Sequence, residues 1–385
     1  MNGRLETIED HIITLKGFAF KSAWYSETGV PIVKVSDFTQ DSVSPEKVAF
    51  IPIESSSDFE KYKLEKGDVL IQTVGSWEHN PNSVVGKVVR IPEVLNYSLL
   101  NQNIVKIIPK ETLDKSFLFY LLKNDDFKGY IIKTAQGAAN QASITLDSIK
   151  AFKFIYKDKT TQRRIASILS AYDDLIENNL KRIKLLEEKA SLMYKLLRKE
   201  LSDAKIINLY DFADIQMGFA FKAEAFNENG EGIPIIRIRD IPNQITKSYT
   251  TQEVDTQYYV EKGDLLIGMD GEFHMNEWLG QRGYLVQRVC RLRAKIPLFQ
   301  SYLWQALKEP IHYYETTISG ATVAHLGKKH LEEILISQPS DSMKNELEEM
   351  NTMRKLKIVL AEQNTKLREA RDILLPRLMS GEVEV

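Results

Sequence analysis

The sequence predicts an α+β protein in which a long antiparallel two-helix coiled coil separates two similar mixed α/β domains related by a pseudo-twofold axis. Three observations predict it: a long heptad stretch in mid-chain, a second heptad stretch near the C-terminus, and a repeat of the mixed segment that precedes each. The implied segments are 1–157 for the first domain, 158–201 for the central helix, 202–339 for the second domain and 340–385 for the second long helix.

The central stretch, Thr161–Leu201, contains no Pro and no Gly, so nothing in it stops a helix. Leu169, Ile176, Ile183, Ala190 and Leu197 fall seven apart, and Ile165, Tyr172, Asn179, Leu186 and Met193 precede them by four. Two such rows make a seam for a partner helix. At ~1.5 Å per residue the helix is roughly 55–60 Å long, more than a globular domain needs. Asn179 is the polar member of the seam, and one polar residue there sets register and partner. Near the C-terminus Met353, Leu360, Leu367 and Leu374 fall seven apart again, with Leu356, Gln363 and Ala370 as companion row. Cap chemistry near Ser340 starts this helix, and Pro376 with Gly381 stops it. A homodimerisation zipper is the competing reading, and the repeat favours the intramolecular pair.

Segment 1–157 combines β-branched strands with one helix. PIVKV (31–35), DVLIQTV (68–74), GKVVRI (86–91) and NIVKIIP (103–109) are bounded by turn residues. SFLFYLLKNDDFKGYII (116–132) predicts a single helix, GAANQAS (137–143) a small-residue loop, and ITLDSIKAFKFIY a helical turn and a last strand. The second domain repeats this order. GFAFK at 17–21 recurs at 218–222, PIVKVSD (31–37) as PIIRIRD (234–240), and EKGDVLI (65–71) as EKGDLLI (261–267). TAQG (134–137) matches TISG (317–320) after a helix in each copy. Four motifs in one order, each copy followed by a long helix, indicate internal duplication. GFAF and the KGD turn are expected to be scaffold, with Gly at tight turns and aromatics in the core.

Composition bounds the function. A formal charge of −2 makes any nucleic-acid surface a local patch, not a global basic bias. The single cysteine excludes an internal disulfide and fits a reducing compartment. MNGRLETIEDHI has no signal-peptide pattern and no window approaches a membrane span, so a cytoplasmic protein is expected. No convergent catalytic set is apparent. There is no N-P-P-[YF] tetrapeptide, and HNPNS (79–83) is not one. Gly86-Lys87 and Gly327-Lys328 lack the rest of a phosphate-binding loop, and six scattered His with one Cys give no metal cluster. Glu187-Glu188-Lys189, on the long helix, fits a solvated face better than a nuclease site.

In layout and motifs the chain resembles the specificity subunits of type I restriction–modification systems. The residues that carry the resemblance are Gly17–Phe20 and Gly218–Phe221, the P-I-x-[KR]-[VI]-x-D and K-G-D-[VL]-L-I motifs, and the T-x-x-G turns. QRRIASILSAYDDLIE is similar to the opening of that family's central helix, and LLPRLMSGEVEV to the end of its second. The chain departs from the family pattern in lacking a Pro at 155–160 and a Gln-led start to the second helix. The resemblance implies two target-recognition domains on an antiparallel coiled coil. It implies a non-catalytic adaptor that binds double-stranded DNA at an asymmetric bipartite site, and binds no cofactor of its own. Two methyltransferase subunits using S-adenosylmethionine on adenine N6 are the implied partners, with two ATP- and Mg-dependent restriction subunits as further ones.

Base edges are read by Arg, Lys, Asn, Gln, Asp and Ser, and phosphates by Lys and Arg. The first-domain candidates are Lys21, Lys34, Ser36, Asp37, Gln72, Thr73, Ser76, Trp77, Gln136, Asn140 and Gln141. Those in the second domain are Lys222, Arg237, Arg239, Asp240, Asp270, Glu272, His274, Thr322 and His325. Lys21 and Lys222 are assigned to phosphates; Trp77 and Phe273 are either core or wedge residues. Arg163 and Arg164 on the central helix face phosphate, a partner or solvent. Two other readings stay open: a helical spacer scaffold whose two heads bind protein partners, and an enzyme with an unfamiliar site. If the DNA reading is correct, adding one heptad to both long helices, ~10 Å or about three base pairs, widens the gap in the methylated motif by that amount. Sequencing of methylated adenines measures it, and an unchanged gap counts against a helical spacer.

Overall fold

The computed structural model describes residues 4–77, 84–138, 141–201, 204–318 and 324–385. It divides into two compact units, Met1–Asp174 with Leu367–Val385, and Leu175–Lys366.

In the first unit, a four-stranded antiparallel sheet runs in the order Ile12–Lys16, Ile104–Pro109, Val69–Gln72, Val88–Arg90. Val69, Leu70 and Ile71 are buried on both faces of it, which is why this strand is a continuous apolar run. Helices α1 (Lys115–Lys123) and α2 (Asp125–Thr134) follow, and Phe117 to Leu122 of α1 are all buried. Asp114 caps α1 by accepting the N–H groups of Ser116 and Phe117. The predicted single helix is therefore two: Asn124 is extended (φ −64°, ψ 149°), and its side-chain amide donates to Asp126 at the start of α2. The predicted 137–143 loop is also corrected. Gln136–Ala138 and Gln141–Ser143 pair as antiparallel strands, and the second pairs with Val74–Gly75. Helix α3 (Leu146–Lys150) and strand Lys153–Ile155 complete the domain. Helix α4 (Lys159–Glu200) then runs for 42 residues.

The second unit repeats the plan. Its four-stranded sheet is Ala213–Met217, Val289–Ala294, Leu265–Gly268, Met275–Glu277. Around it stand α5 (Leu209–Phe212), α6 (Gln300–Thr317) and α7 (Lys328–Glu333), before α8 (Lys344–Ser380). Cys290 is fully buried in the second strand of that sheet, and burial pushes its thiol up to about 12. Helix α8 runs through Pro376, where Leu375, Leu378 and Met379 on either side are buried in the core, and stops at Ser380 before Gly381 with its φ of +84°.

Within each unit the two long helices run antiparallel. In the first, Asp173 meets Arg371 at 2.5 Å, and Ile165, Ala166 and Leu169 share a core with Leu375, Leu378 and Met379. In the second, Asn179 donates to Asn364 at 2.9 Å, Lys357 to Glu187 at 3.1 Å and Lys189 to Glu349 at 2.5 Å. Ile165, Leu169, Ile176, Asn179, Ala190, Leu197, Met353 and Leu360 are buried, while Tyr172, Ile183, Leu186, Met193, Leu367 and Leu374 are half-buried. The predicted companion row of α8 is displaced. Leu356 is 37% exposed, Gln363 and Ala370 are exposed, and the inward row is Lys357, Asn364 and Arg371. Those three are polar, so a search for apolar heptads selects the residues one position earlier.

The Asn179–Asn364 pair gives a prediction. Asn364→Leu alone leaves a buried amide on Asn179 and destabilises by about 1–3 kcal/mol. The double Leu variant recovers that loss, because neither amide is left buried without its partner. Urea unfolding of the single and double variants measures the coupling.

Candidate nucleic-acid interface

The shared motifs build the same frame in each unit. Gly17 and Gly218 lie against backbone, where a Cβ would sit 1.9 Å from the carbonyl oxygen of Asn101 and 2.0 Å from that of Val286. Phe18 and Phe20 then join Trp24, Phe59 and Tyr62 in a ring cluster, as Phe219 and Phe221 join Tyr258 and Tyr284. In the KGD turns, Gly67 and Gly263 take φ of +78° and +91°. Asp68 accepts the Glu65 N–H at 2.8 Å, and Asp264 the Glu261 N–H at 2.7 Å. Each carboxylate is buried against cations: Lys106 and Lys115 for Asp68, Arg293 for Asp264. Burial opposes the charge on Asp68, but those lysines outweigh it and hold the carboxyl below its usual range. GFAF and KGD are scaffold.

The candidates divide into two groups per unit. In the first unit, Lys21 is exposed with Nζ 5.5 Å from the Trp24 ring, and Lys34 is half-buried with Nζ 5.8 Å from the Tyr25 ring. Ser36 is exposed and donates to Asp37, which is buried and accepts the Lys34 N–H at 2.8 Å. Burial raises the pKa of Asp37. The second group surrounds the small sheet described above. Gln72, Thr73 and Ser76 are buried there, Trp77 is half-buried against the core, and Gln136 and Gln141 are exposed on the paired strands. Asn140 lies outside the described residues.

In the second unit, Lys222 and Arg239 are exposed, and Asp240 is buried and accepts the Arg237 N–H at 2.9 Å. The Arg237 guanidinium donates to Ser248, and burial lowers its pKa. Asp270 and His325, far apart in sequence, meet: the backbones bridge, and His325 Nδ1 is 2.6 Å from Asp270 Oδ1. Glu272 is exposed with His274 3.3 Å away, and Phe273 is buried in the core. Thr322 lies outside the described residues.

A tight turn joins the two groups, and the sequence reading missed it. In the first unit Gln102 donates its N–H to the Phe18 carbonyl, and Thr73 donates to the Asn103 carbonyl, both at 2.8 Å. In the second, Gln287 donates to Phe219 and Met269 to Arg288, again at 2.8 Å. Asn103 and Arg288 are exposed and left-handed, with φ of 65° and 73°. The available signal was the Gln at the same place in both repeats, just before the last sheet strand (NQNIV against VQRVC). Among the described residues no group of three or more His, Cys, Asp or Glu is placed to hold a metal ion. No helix among them is long and apolar enough to cross a membrane.

Comparison with known proteins decides the family. The model of the type I restriction modification DNA specificity domain matches twice, over residues 11–188 and 202–356. The chain belongs to this family. Each match of the type I specificity domain covers one copy of the repeat and continues into the long helix that follows it. The EcoBI specificity subunit of Escherichia coli is 33% identical over 134 residues, which span 34% of this chain and 28% of that subunit. A Methanocaldococcus jannaschii protein assigned to the MjaX type I enzyme as its specificity subunit is 24% identical, covering 93% of this chain and 88% of its own. The crystal structure of a type I S subunit from M. genitalium shares the fold at 17% identity, with a TM-score of 0.52 over 98% of this chain and 96% of that one.

The glycine frame is testable. Gly218→Ala forces a methyl into the Val286 carbonyl and destabilises the second unit by about 1–3 kcal/mol or more. Alkylation of the buried Cys290 during urea titration reports it: the variant thiol becomes reactive at lower urea than that of the parent protein.

Proposed function

We propose that this chain is the DNA-recognition subunit of a type I restriction–modification complex. It reads an asymmetric bipartite site, one half with each specificity domain, and it recruits methyltransferase subunits, two per complex, and restriction subunits where these are present. It is a positioning subunit with no chemistry of its own. S-adenosylmethionine belongs to the methyltransferase partners, and ATP with Mg to the restriction partners. The observation that supports this reading best is that one frame is built twice with different side chains on its loops. Positions held by backbone hydrogen bonds carry Thr73, Val74, Ser143 and Asn103 in one unit, and Met269, Asp270, His325 and Arg288 in the other. Identical frames with unlike loops suit a ligand with two unlike half-sites.

The test is co-expression with the accompanying methyltransferase and sequencing of the methylated adenines. One split motif is expected. Exchanging residues 206–339 for the corresponding domain of another family member then changes one half of the motif and leaves the other half intact. No motif, or a motif untouched by the exchange, overturns the reading.

A further inference from the structure

The turn between the two groups of candidates differs between the units at one position in a way that turn chemistry does not explain. Asn is the side chain best suited, after Gly, to a left-handed turn residue, so Asn103 needs no special reason. Arg288 has no such local fit, and a left-handed Arg costs of order 1 kcal/mol. Strain of this kind points toward use. Its guanidinium is ion-paired at one end: Nε is 3.3 Å from Asp270 Oδ2. The other Asp270 oxygen is occupied by His325 at 2.6 Å. One carboxylate thus orients both a histidine and a guanidinium, while the Arg288 side chain remains 49% exposed. An ion pair at its Nε end restrains the planar fork before any ligand arrives.

We propose that this turn position is a base-reading position in each unit, with Arg288 taking the O6 and N7 edge of a guanine and Asn103 the N6 and N7 edge of an adenine. Asp270 and His325 are positioning residues for Arg288. The pairing follows from donor and acceptor geometry: guanine offers two acceptors to the guanidinium fork, and adenine one donor and one acceptor to a carboxamide. The Gln102 and Gln287 N–H groups and the Asn103 and Arg288 carbonyls meet corresponding partners in both units, so the side chain changes without moving these contacts. This assignment rests on the DNA-recognition reading above.

The experiment uses the full chain in complex with its methyltransferase and compares methylated motifs for the parent, Arg288→Ala, Arg288→Lys, Arg288→Gly and Asn103→Ala. Arg288→Ala is expected to relax one guanine position in one half of the motif, with discrimination falling about tenfold to a hundredfold. Arg288→Lys relaxes the same position, since an ammonium lacks the fork. Asn103→Ala relaxes an adenine position in the other half. Arg288→Gly removes the left-handed strain, so it relaxes the motif without lowering the melting temperature, which separates lost reading from lost folding. If Arg288→Ala weakens binding equally on all sequences with a shallower salt dependence, and Arg288→Lys restores it, Arg288 is a phosphate contact and the proposal is overturned. An unchanged motif overturns it as well. A parent complex that methylates no split motif instead defeats the underlying reading.

Discussion

The cations buried on the inner face of α8 are the constraint on which each unit depends. In the first unit Arg371 is 1% exposed, 2.5 Å from Asp173 of α4 and 2.8 Å from Asp41 of the mixed domain. Tyr120 of α1 donates to the same Asp173 at 2.6 Å, and burial with that carboxylate raises the phenol's pKa, keeping it a donor. In the second unit Lys357 is 3% exposed, 2.6 Å from Glu277 of the sheet and 3.1 Å from Glu187 of α4. Arg354, one turn earlier, donates to Glu277 and to the Gly263 carbonyl of the KGD turn. Each cluster ties three things together: the incoming helix, the outgoing helix and the domain beside them.

Such clusters define geometry more than they add stability. Desolvating both partners of a buried ion pair consumes most of the Coulomb attraction, whereas removing one partner strands the other at a cost of about 3–5 kcal/mol. An apolar seam tolerates a shift along the helix by one heptad, because Leu meets Leu again. A seam with Lys357, Asn364 and Arg371 does not, because each has a partner at only one place. The polar row therefore sets the register of α8 on α4 inside each unit. Direct attachment to the domains makes that register a property of the domains too.

Much of this was legible in the sequence. The duplication, the two heptad helices and the scaffold role of GFAF and KGD follow from repeated motifs whose cause is local: a carbonyl too close for a Cβ, a turn needing positive φ. What stayed hidden depends on tertiary partners. Lys357, Asn364 and Arg371 look like solvent residues until Glu277, Asn179 and Asp173 are placed against them. Strands Gln136–Ala138 and Gln141–Ser143 are small and polar, and the edge on which the second pairs, Val74–Gly75, is distant in sequence. The break at Asn124 is masked by apolar residues on both sides that suit a continuing helix. At the site, Asp270 and His325 lie 55 positions apart in sequence, and only the fold makes them neighbours. Asp37 and Asp240, equally polar in the sequence, cap turns from inside the protein. Nothing about an arginine announces a left-handed turn, so the signal for Arg288 is confined to the repeated Gln before it, Gln102 and Gln287.

The division between frame and loop has a physical basis that bears on how such a protein changes specificity. At two pairs of loop positions that differ between the units, Thr73 with Met269 and Asn103 with Arg288, the chain is held by backbone-to-backbone contacts. The Thr73 and Met269 N–H groups meet the carbonyls of Asn103 and Arg288, and the Ile144 and Leu326 N–H groups meet the carbonyls of Thr73 and Met269. A backbone hydrogen bond is indifferent to the side chain on the same residue. The positions that do not differ, Gly17 with Gly218 and Asp68 with Asp264, are those where the side chain, or its absence, is itself the contact. These backbone contacts are thereby kept whatever side chain the positions carry. That independence is what allows one architecture, present twice in a single chain, to present two different chemical surfaces.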